Sequence, residues 1–530
     1  MSDIATSPPA SGSAARKVAA NALNPFAAQL VTKVLMLVYG IMQYRLIGGG
    51  GAALGDYFIA GYVLLYTGTI SEWGLSTLLT RDVAKDRGSS EENAQVARLF
   101  GHTLALRLLI SLLLFVPVLL FILVYSALFN LTSAGALATV ILTLSLIPGA
   151  FSGSVTSLLY AYERMSLPAL IGIATSIVNV ALGIGMLLLG WGIAGLALSA
   201  SFTTLLTAFI FGRILRREFP SLNAFNLRAL RIERGEATSL LKAGWPLMLN
   251  ALLVGLFFRA DQFIIKANGG IGDEKTRESA SALDVERYQA AYSFLNFVLL
   301  ITPAVTLALF PRMARHAATD RPRLAYEYTF ALKVLLILSV PIVALTVWFA
   351  PLLITIMTSG KPQYLPQSAI ALQILIFFLP LSFVNGVTQY VLIALDRQSL
   401  ITRAFAATVV FNLVANLLLV PRFGIYGAAL TTVLSELVLL VPFLVWTGRE
   451  VGRVPLLSIS AKPLVAGLAL GALGWAMQGL LQNWSRDLAA LLLYACGGLL
   501  MGAVYVAVLL ALRPFTPGEF ASLRSAIRRG

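Results

Sequence analysis

Residues 108–129 read LLISLLLFVPVLLFILVYSALF, and no charged side chain interrupts them. A segment of about 20 apolar residues is long enough to cross the hydrocarbon core of a bilayer as an α-helix. Runs of this kind recur along the chain and are separated by short polar stretches. This pattern is typical of an all-α polytopic membrane protein.

The composition of the whole chain agrees with this interpretation. Of its 530 residues, 58% are hydrophobic and only 12% are charged, whereas soluble domains carry about 25% charged residues. This balance excludes a soluble globular enzyme, a disordered protein and a fibrous one. The net charge of +15 is the excess that a membrane protein carries in its cytoplasmic loops, so we expect no nucleic-acid partner.

Few residues are available for metal or disulfide chemistry. The chain has one cysteine, Cys496, and two histidines, His102 and His316, which are far apart in sequence. A disulfide within the chain and a cysteine metal site are therefore excluded, and no metal-ligand spacing is present. We expect no metal and no cofactor, and coupling to H⁺ or Na⁺ stays open.

We predict fourteen membrane spans, several of them long enough to tilt in the bilayer. Their approximate limits are 21–44, 57–80, 99–127, 134–160, 167–190, 192–212, 243–265, 288–311, 324–350, 366–395, 398–420, 424–447, 458–482 and 488–512.

The basic residues fix the orientation of these spans. If both termini are cytoplasmic, 27 of the 39 Lys and Arg residues fall in cytoplasmic segments and 8 in outer segments, Lys266 among the latter. This bias follows the positive-inside rule. It predicts a multi-pass membrane protein with both termini in the cytoplasm.

The chain contains an internal repeat with a period of about 220–233 residues. The motif Glu163–Leu167 (ERMSL) corresponds to Asp396–Leu400 (DRQSL), and each is followed by an Asn and then by Gly-Ile-x-Gly, at 192–195 and 424–427. Spans 1–6 and 7–12 are therefore predicted to be two copies of a six-helix unit. Because six is even, both copies enter the membrane from the same side, as a parallel repeat around a central cavity.

The predicted organisation has six parts. They are a disordered cytoplasmic tail (1–18), an N-lobe of helices 1–6 (19–217), a basic cytoplasmic linker (218–242), a C-lobe of helices 7–12 (243–450), two extra helices 13–14 (451–512) and a cytoplasmic tail (513–530).

Several motifs resemble the Wzx-type polysaccharide and O-antigen flippases of the multidrug/oligosaccharidyl-lipid/polysaccharide (MOP) exporter superfamily. Their order and spacing carry the resemblance over about residues 20–450. The motif segments are Gly74–Ala84, Ala308–Arg312, Asn412, Leu419–Pro421, Gly424–Ala429 and Ser435–Glu436.

The resemblance implies a flippase of a bacterial or archaeal plasma membrane. It is expected to move a polyprenyl-diphosphate-linked oligosaccharide from the cytoplasmic to the outer leaflet by alternating access, for surface polysaccharide biosynthesis. The resemblance implies no enzyme activity. The expected partners are the lipid bilayer and the lipid-linked glycan, with a glycan polymerase or glycosyltransferases as candidate contacts. A monomer is the simplest state, because one chain supplies both lobes.

Four basic residues lie within predicted spans, where a charge costs about 2.5–3.5 kcal/mol on insertion scales. Lys33 and Arg259 lie on the repeat-equivalent spans 1 and 7, and we expect them to bind the lipid diphosphate in the cavity. The alternative is an ion pair, Lys33–Asp261 or Arg259–Glu72. Arg107 and Lys333 lie on spans 3 and 9, where they reach the headgroups or line the mouth of the cavity.

Three acidic residues are candidates for ion or proton coupling, because burial favours the neutral form of a carboxylate. They are Asp261, Glu72 and Glu436. For Glu436 a hydrogen bond between packed helices is an equal alternative.

Three other functions compete with this interpretation. A lipid II flippase shares the fourteen spans and the cationic cavity. An ion-coupled multidrug exporter of the same superfamily has 12 spans and an acidic cavity. A membrane enzyme such as a glycan polymerase needs a large outer loop, and the short acidic loop at 266–287 argues against it. A nucleotide-driven pump is excluded, because the chain contains no P-loop motif.

Overall fold

The structure is a computed structural model. It describes residues 12–47, 53–86, 92–129, 131–220, 233–268, 274–299, 301–477, 488–516 and 519. Within these ranges every regular element is helical and no strand occurs. Most of the N-terminal tail, the middle of the basic linker and nearly all of the segment after Thr516 lie outside the described residues.

The chain divides into two compact units, Met1–Glu286 and Arg287–Gly530. The helices of the first unit are α1 (Gly12–Leu46), α2 (Ala53–Glu72), α3 (Leu75–Asp86), α4 (Glu92–Leu113), α5 (Phe115–Phe129), α6 (Ser133–Leu144), α7 (Leu146–Ala161), α8 (Ser166–Leu188), α9 (Gly192–Glu218) and α10 (Arg234–Ala267). Helix α11 (Glu274–Val298) crosses the boundary between the units.

The second unit continues with α12 (Ile301–Thr319), α13 (Arg321–Thr358), α14 (Gln367–Leu375), α15 (Phe378–Ala394), α16 (Gln398–Glu450), α17 (Leu456–Ala476) and α18 (Leu488–Ala511). A short 3₁₀ turn, Pro362–Tyr364, precedes α14.

Helices occur at each of the fourteen predicted spans. Five of these spans are divided between two successive helices, as at Trp73 and Gly74 between α2 and α3, where both residues have positive φ. Helix α1 begins at Gly12 and so extends into the segment predicted as a disordered tail. The arrangement of twelve repeated and two extra spans stays a prediction.

Nine helical segments within the described ranges are long and apolar enough to cross a membrane. The longest of them, Gln398–Glu450, turns sharply at Gly424, whose φ of 56° and ψ of −136° are accessible only to glycine. This segment therefore contains two predicted spans. Helix α5 exposes a row of large apolar side chains, including Val116, Leu119, Leu120 and Leu123, as expected for a surface in contact with lipid rather than water.

The internal repeat recurs in the backbone. Glu163 (φ 59°) and Asp396 (φ 58°) both take the left-handed conformation at the end of a helix. After each, the N–H of the following Arg donates to the carbonyl five residues earlier, which completes a Schellman motif. Each Arg then pairs with a Glu at the end of a later helix, Arg164 with Glu218 and Arg397 with Glu450.

Two helices beyond the repeat, α17 and α18, pack against α13. Ala466 and Leu470 of α17 form a buried cluster with Met501 and Tyr505 of α18, and apolar residues of α13 cover it. The Tyr505 hydroxyl donates to the Ile337 carbonyl at 2.8 Å. The last predicted spans are thus part of the second unit.

Candidate functional site: charged residues among the helices of the first unit

Arg259 lies on α10 and faces a group of aromatic residues. Its guanidinium carbon is 5.4 Å from the centre of the Tyr62 ring on α2, a distance at which a cation is attracted to the ring face. The Arg259 side chain is half-buried. It is thus a partly accessible cation within a helix that is long and apolar enough to span the membrane.

Aromatic contacts hold α2, α5 and α10 together around Arg259. The ring of Phe263 lies 5.8 Å from that of Tyr66 and 6.0 Å from that of Tyr125. The hydroxyl of Tyr66 donates to the Gly255 carbonyl at 3.3 Å, and the hydroxyl of Tyr125 donates to the Phe263 carbonyl at 2.9 Å. These contacts fix the part of α10 that carries Arg259.

Asp261 follows two residues after Arg259 and is buried. One of its carboxylate oxygens accepts a 2.8 Å hydrogen bond from the Gln262 backbone N–H. The charges of Arg259 and Asp261 both act on the hydroxyls of Tyr62 and Tyr66. A basic and an acidic group therefore share one aromatic environment.

A fully buried ion pair lies one turn further along α10. Lys266 Nζ is 2.7 Å from Asp56 Oδ1 on α2, and neither side chain is exposed. The other oxygen of Asp56 accepts hydrogen bonds from the backbone N–H of Thr132, at 3.1 Å, and from its hydroxyl. The Asp56 carboxylate thus connects α2, α10 and the segment before α6.

Glu286 on α11 completes this polar cluster. Its Oε1 accepts hydrogen bonds from the backbone N–H groups of Leu54 and Gly55, at 3.0 and 3.2 Å, in the first turn of α2. A carboxylate at this place satisfies N–H groups that have no partner within the helix. The Tyr44 hydroxyl at the end of α1 donates to the Glu286 carbonyl.

Lys33 lies on an exposed face of α1, beside the exposed Leu30 and Val34. It forms no ion pair with any residue that the structure describes, so the Lys33–Asp261 alternative is not formed. Helix α1 packs on α8, whereas α10 packs on α2 to α5. Lys33 and Arg259 thus belong to the same unit, but different helices hold them.

Arg107 is buried among α3, α4 and α7. Its side chain is 6% exposed, and its Nη1 donates to the hydroxyls of Ser76 at 2.9 Å and Ser154 at 3.5 Å. Glu72 is close enough for its charge to act on Arg107, and it forms no ion pair within the described ranges, so the Arg259–Glu72 alternative is not formed either.

Lys333, the counterpart of Arg107 on α13, has a carboxylate partner instead. Its Nζ lies 2.8 and 3.0 Å from the two oxygens of Glu519 and 5.8 Å from the centre of the Phe515 ring. Burial favours the neutral form of Glu519, but the bonds from Lys333 and Thr516 outweigh it and hold the pKa of this carboxyl below its usual range.

Glu436 is buried in α16 and hydrogen-bonded to a neighbouring helix. The Asn385 amide on α15 donates to its carboxylate and, at 2.9 Å, to its backbone carbonyl. The adjacent Ser435 accepts a 2.9 Å bond from Asn412. These bonds are the helix–helix contacts that the sequence left as one alternative for Glu436.

Two features were not predicted from the sequence. One is the buried Asp56–Lys266 pair, since Lys266 was counted in an outer loop, whereas α10 continues to Ala267. The other is the environment of the two histidines. His102 Nδ1 is 2.7 Å from Glu236 Oε2, and His316 Nδ1 is 3.0 Å from Glu327 Oε2.

An Arg four residues before each histidine binds the other oxygen of the same glutamate. Arg98 lies 2.6 Å from Glu236 and Arg312 lies 3.2 Å from Glu327. This i, i+4 spacing of Arg and His on one helix face was the available signal. Glu233, His102 and Glu236 also place potential metal-ligand atoms within 4.8 Å of one another, but Arg98 already forms an ion pair with Glu236.

Comparison with known proteins identifies the family. The family described as polysaccharide biosynthesis protein matches residues 18–317, more than half of the chain. The chain belongs to this family. The MatE family matches residues 279–418.

Solved structures of the MOP superfamily have the same fold. The lipid II flippase MurJ in an inward closed conformation superimposes with a TM-score of 0.69 at 14% identity, covering 92% of this chain and 98% of MurJ. A multidrug resistance MATE family transporter in an inward-facing conformation gives 0.58 at 16% identity, covering 80% and 98%. A MOP superfamily transporter from Pyrococcus furiosus, described by a reversed polarity of its binding pocket, gives 0.54 at 15% identity, covering 81% and 95%.

One curated relative is similar over a shorter segment. The uncharacterized membrane protein MJ1068 of Methanocaldococcus jannaschii is 34% identical over 111 residues, which is 21% of each chain. The matched segment thus spans about a fifth of that relative. Taken with the family match, the fold shows a multi-pass MOP-type membrane transporter or flippase, not an enzyme.

Proposed function

We propose that this protein translocates a polyprenyl-diphosphate-linked oligosaccharide from the cytoplasmic to the outer leaflet of the plasma membrane, for surface polysaccharide biosynthesis. The supporting observation is the half-buried residue Arg259, whose guanidinium is held over Tyr62 within a spanning helix of a polysaccharide biosynthesis family member. An arginine binds a phosphate through two parallel hydrogen bonds, so Arg259 is suited to a compact lipid diphosphate.

In this mechanism Arg259 is the principal ligand of the diphosphate and Lys33 a second cation. Lys33 is exposed on α1 and can follow a mobile anion as a point charge. Arg107 is enclosed by serines, and Lys333 is engaged by Glu519, so the proposal gives these two a supporting role at the mouth of the cavity.

The outer barrier to the substrate is proposed at the Asp56–Lys266 pair. This pair joins α2, a helix of the predicted N-lobe, to α10, the first helix of the predicted C-lobe. Alternating access between those lobes requires the outer ends of α2 and α10 to separate. Asp261, Glu72 and Glu436 are the candidates for coupling this opening to H⁺ or Na⁺, and Asp261 is favoured by its place beside Arg259.

A lipid II flippase is the second candidate function. The observation that favours it over a multidrug exporter is the extent of the fold match, which covers 92% of this chain for MurJ and 80% for the MATE transporter. The predicted count of fourteen spans also favours a flippase over a twelve-span exporter. The glycan attached to the lipid decides between the two flippase functions.

The test is translocation in reconstituted liposomes of a fluorescent polyprenyl-diphosphate oligosaccharide, with lipid II and an organic cation in parallel. Charge-assisted hydrogen bonds contribute about 1.5–3 kcal/mol, so Arg259→Ala is expected to slow transport about ten- to a hundredfold. Lys33→Ala is expected to have a smaller effect. Arg45→Ala, which removes an exposed arginine from the end of α1, is the control and retains full activity.

Each other outcome has a defined meaning. Full activity of Arg259→Ala at normal monodispersity would refute the cationic site and leave the family assignment intact. Transport of lipid II alone would support the second candidate. Efflux of the organic cation without lipid transport would move the protein to the exporter class.

A further inference from the structure

A cavity of about 580 Å³ opens in the second unit between α13, the end of α16 and the start of α17. Tyr328 of α13 lines it, as do the polar residues Thr447, Arg449 and Arg453. Leu444 and Leu456 form apolar walls. On the predicted orientation this cavity lies at the cytoplasmic surface of the membrane, where α16 leaves the bilayer and α17 enters it.

Two arginines give the cavity its charge. Arg449 and Arg453 are both exposed, and neither forms a hydrogen bond or ion pair through its side chain with the residues that the structure describes. The nearest carboxylate in sequence, Glu450, is occupied by two hydrogen bonds from Arg397, at 3.0 and 2.7 Å. The charge of the two arginines is therefore not neutralised by that glutamate.

The acidic residue next to Tyr328 is also occupied. Glu327 binds Arg312 through one carboxylate oxygen and His316 through the other. The aliphatic stem of Arg453 lies against the end of α16, because a Cβ placed on Gly448 would be 3.7 Å from Arg453 Cγ. The two arginines thus border the same cavity from the end of α16 and the connection to α17.

A buried hydroxyl provides an independent indication of a ligand. Thr447 is fully buried, it lines the cavity, and its Oγ1 forms no hydrogen bond within the described part of the chain. Thr408 and Thr432 of the same helix instead donate to the carbonyl four residues earlier, at 2.8 and 3.0 Å, whereas Thr431, which does not line the cavity, is also without a partner within the described ranges. A buried hydroxyl without a partner is costly unless a bound group satisfies it.

Arginine side chains and a hydroxyl together match a phosphate group. Each guanidinium offers several N–H donors in a planar fork that fits phosphate oxygens, and the hydroxyl adds another donor. The adjacent leucines and the position at the membrane surface suit the beginning of an apolar chain. A lipid with a phosphate-containing headgroup satisfies all of these features, whereas a soluble anion leaves the apolar walls unused.

We propose that this cavity binds the phosphate headgroup of a lipid from the cytoplasmic leaflet, with Arg449 and Arg453 as its ligands and Thr447 as a further donor. The headgroup chemistry is shared by anionic phospholipids and by polyprenyl diphosphates. The site is distinct from Arg259 and Lys33, which belong to the first unit, and it does not depend on which molecule the protein transports.

The test measures lipid binding to the purified full-length protein by native mass spectrometry. The probes are phosphatidylglycerol, geranylgeranyl diphosphate and, as the neutral headgroup control, phosphatidylcholine. We expect one tightly bound phosphate lipid on the wild type and binding at least about tenfold weaker in Arg449→Gln/Arg453→Gln. Preference for the diphosphate identifies a polyprenyl lipid as the occupant, and preference for phosphatidylglycerol identifies a structural phospholipid.

The control variant removes the same charge from the same predicted side of the membrane. Arg315 and Arg323 are exposed in the second unit and do not line the cavity, so Arg315→Gln/Arg323→Gln retains binding. Equal loss of lipid binding in both double variants would show that only net charge matters, and it would overturn the site. Unchanged binding in Arg449→Gln/Arg453→Gln would overturn it as well. Thr447→Val, which keeps both arginines and the side-chain shape, is a second variant and should weaken binding by a smaller factor.

Discussion

Two lysine–carboxylate pairs of nearly equal length occupy very different surroundings. In the first unit, Lys266 Nζ lies 2.7 Å from Asp56 Oδ1, and both side chains are completely buried. In the second unit, Lys333 Nζ lies 2.8 Å from Glu519 Oε1, with 14% and 8% of the side chains exposed. Each pair connects a spanning helix to another segment of its own unit.

This difference shows that the N–O distance does not by itself determine how much an ion pair contributes to stability. Removing ions from water costs several kcal/mol each, and their attraction offsets this only when both partners are present and fully hydrogen-bonded. Thr132 donates two hydrogen bonds to one oxygen of Asp56, and Lys266 lies beside the other. A pair near the surface has less to lose, because water solvates whichever partner remains.

The largest effect is expected at Lys266. Lys266→Met leaves the Asp56 carboxylate buried without its counter-ion, and breaking a buried pair in this way costs about 3–5 kcal/mol. We expect a marked fall in the thermal unfolding midpoint of the detergent-purified protein and a lower yield. Differential scanning fluorimetry and size-exclusion chromatography measure the two effects.

A double variant separates the cost of the unpaired charge from the cost of lost side-chain packing. Lys266→Met/Asp56→Asn removes both charges, keeps an oxygen to accept from Thr132, and should recover most of the lost stability. Arg45→Met, which removes an exposed cation from the first unit, should change the midpoint little. If the double variant is no more stable than Lys266→Met, the pair is not the reason for the loss.

The sequence was sufficient to predict the membrane-spanning helices, but it was not sufficient to predict the Asp56–Lys266 ion pair. Each apolar run is a local property, and the matching turns at Glu163 and Asp396 follow from a motif visible in the sequence. The Asp56–Lys266 contact joins two helices more than 200 residues apart. Lys266 lies one residue beyond the predicted end of span 7, where a lysine ordinarily faces water, so no local pattern distinguishes it from a loop residue.

The same limit applies to the predicted site residues. The sequence identified Arg259 as an unusual charge, because a spanning helix rarely carries one. It did not identify Tyr62 as the ring that faces Arg259, because that contact depends on how α2 packs against α10. Charges within spans are visible from composition, whereas their partners are a property of the tertiary fold.

A smaller effect is expected at Arg107, a buried cation whose hydrogen-bond partners are serines rather than a carboxylate. Arg107→Met removes the two bonds to Ser76 and Ser154 and also removes a buried charge, so the net loss is about 1–2 kcal/mol, below that of Lys266→Met. The same unfolding assay measures it. A loss as large as that of Lys266→Met would show that a neutral serine pair supports a buried cation as strongly as a carboxylate does.

Alanine substitutions at Gly153 and Gly149 provide a matched test of the packing around Arg107. A Cβ at Gly153 would lie 2.7 Å from Arg107 Nη2, whereas a Cβ at Gly149, one turn earlier on α7, meets nothing closer than 3.9 Å. Gly153→Ala should therefore lower the unfolding midpoint and Gly149→Ala should not. The effect of Gly153→Ala should largely disappear in the Arg107→Met background, because the clashing group is gone.

The smallest effect belongs to the Lys333–Glu519 pair and depends on pH. Despite its burial, Glu519 has a lowered pKa because Lys333 and Thr516 bond to its charged form, so the folded state binds its proton less tightly than the unfolded state does. The resulting stabilisation, up to about 1 kcal/mol, is complete above the ordinary glutamate pKa of about 4.3 and is lost as the pH falls through the folded value. The unfolding midpoint of the wild type should therefore exceed that of Glu519→Gln at pH 7, and the two should converge in acid. Lys333→Met should remove most of this pH-dependent difference, and a difference that grows in acid would contradict the lowered pKa.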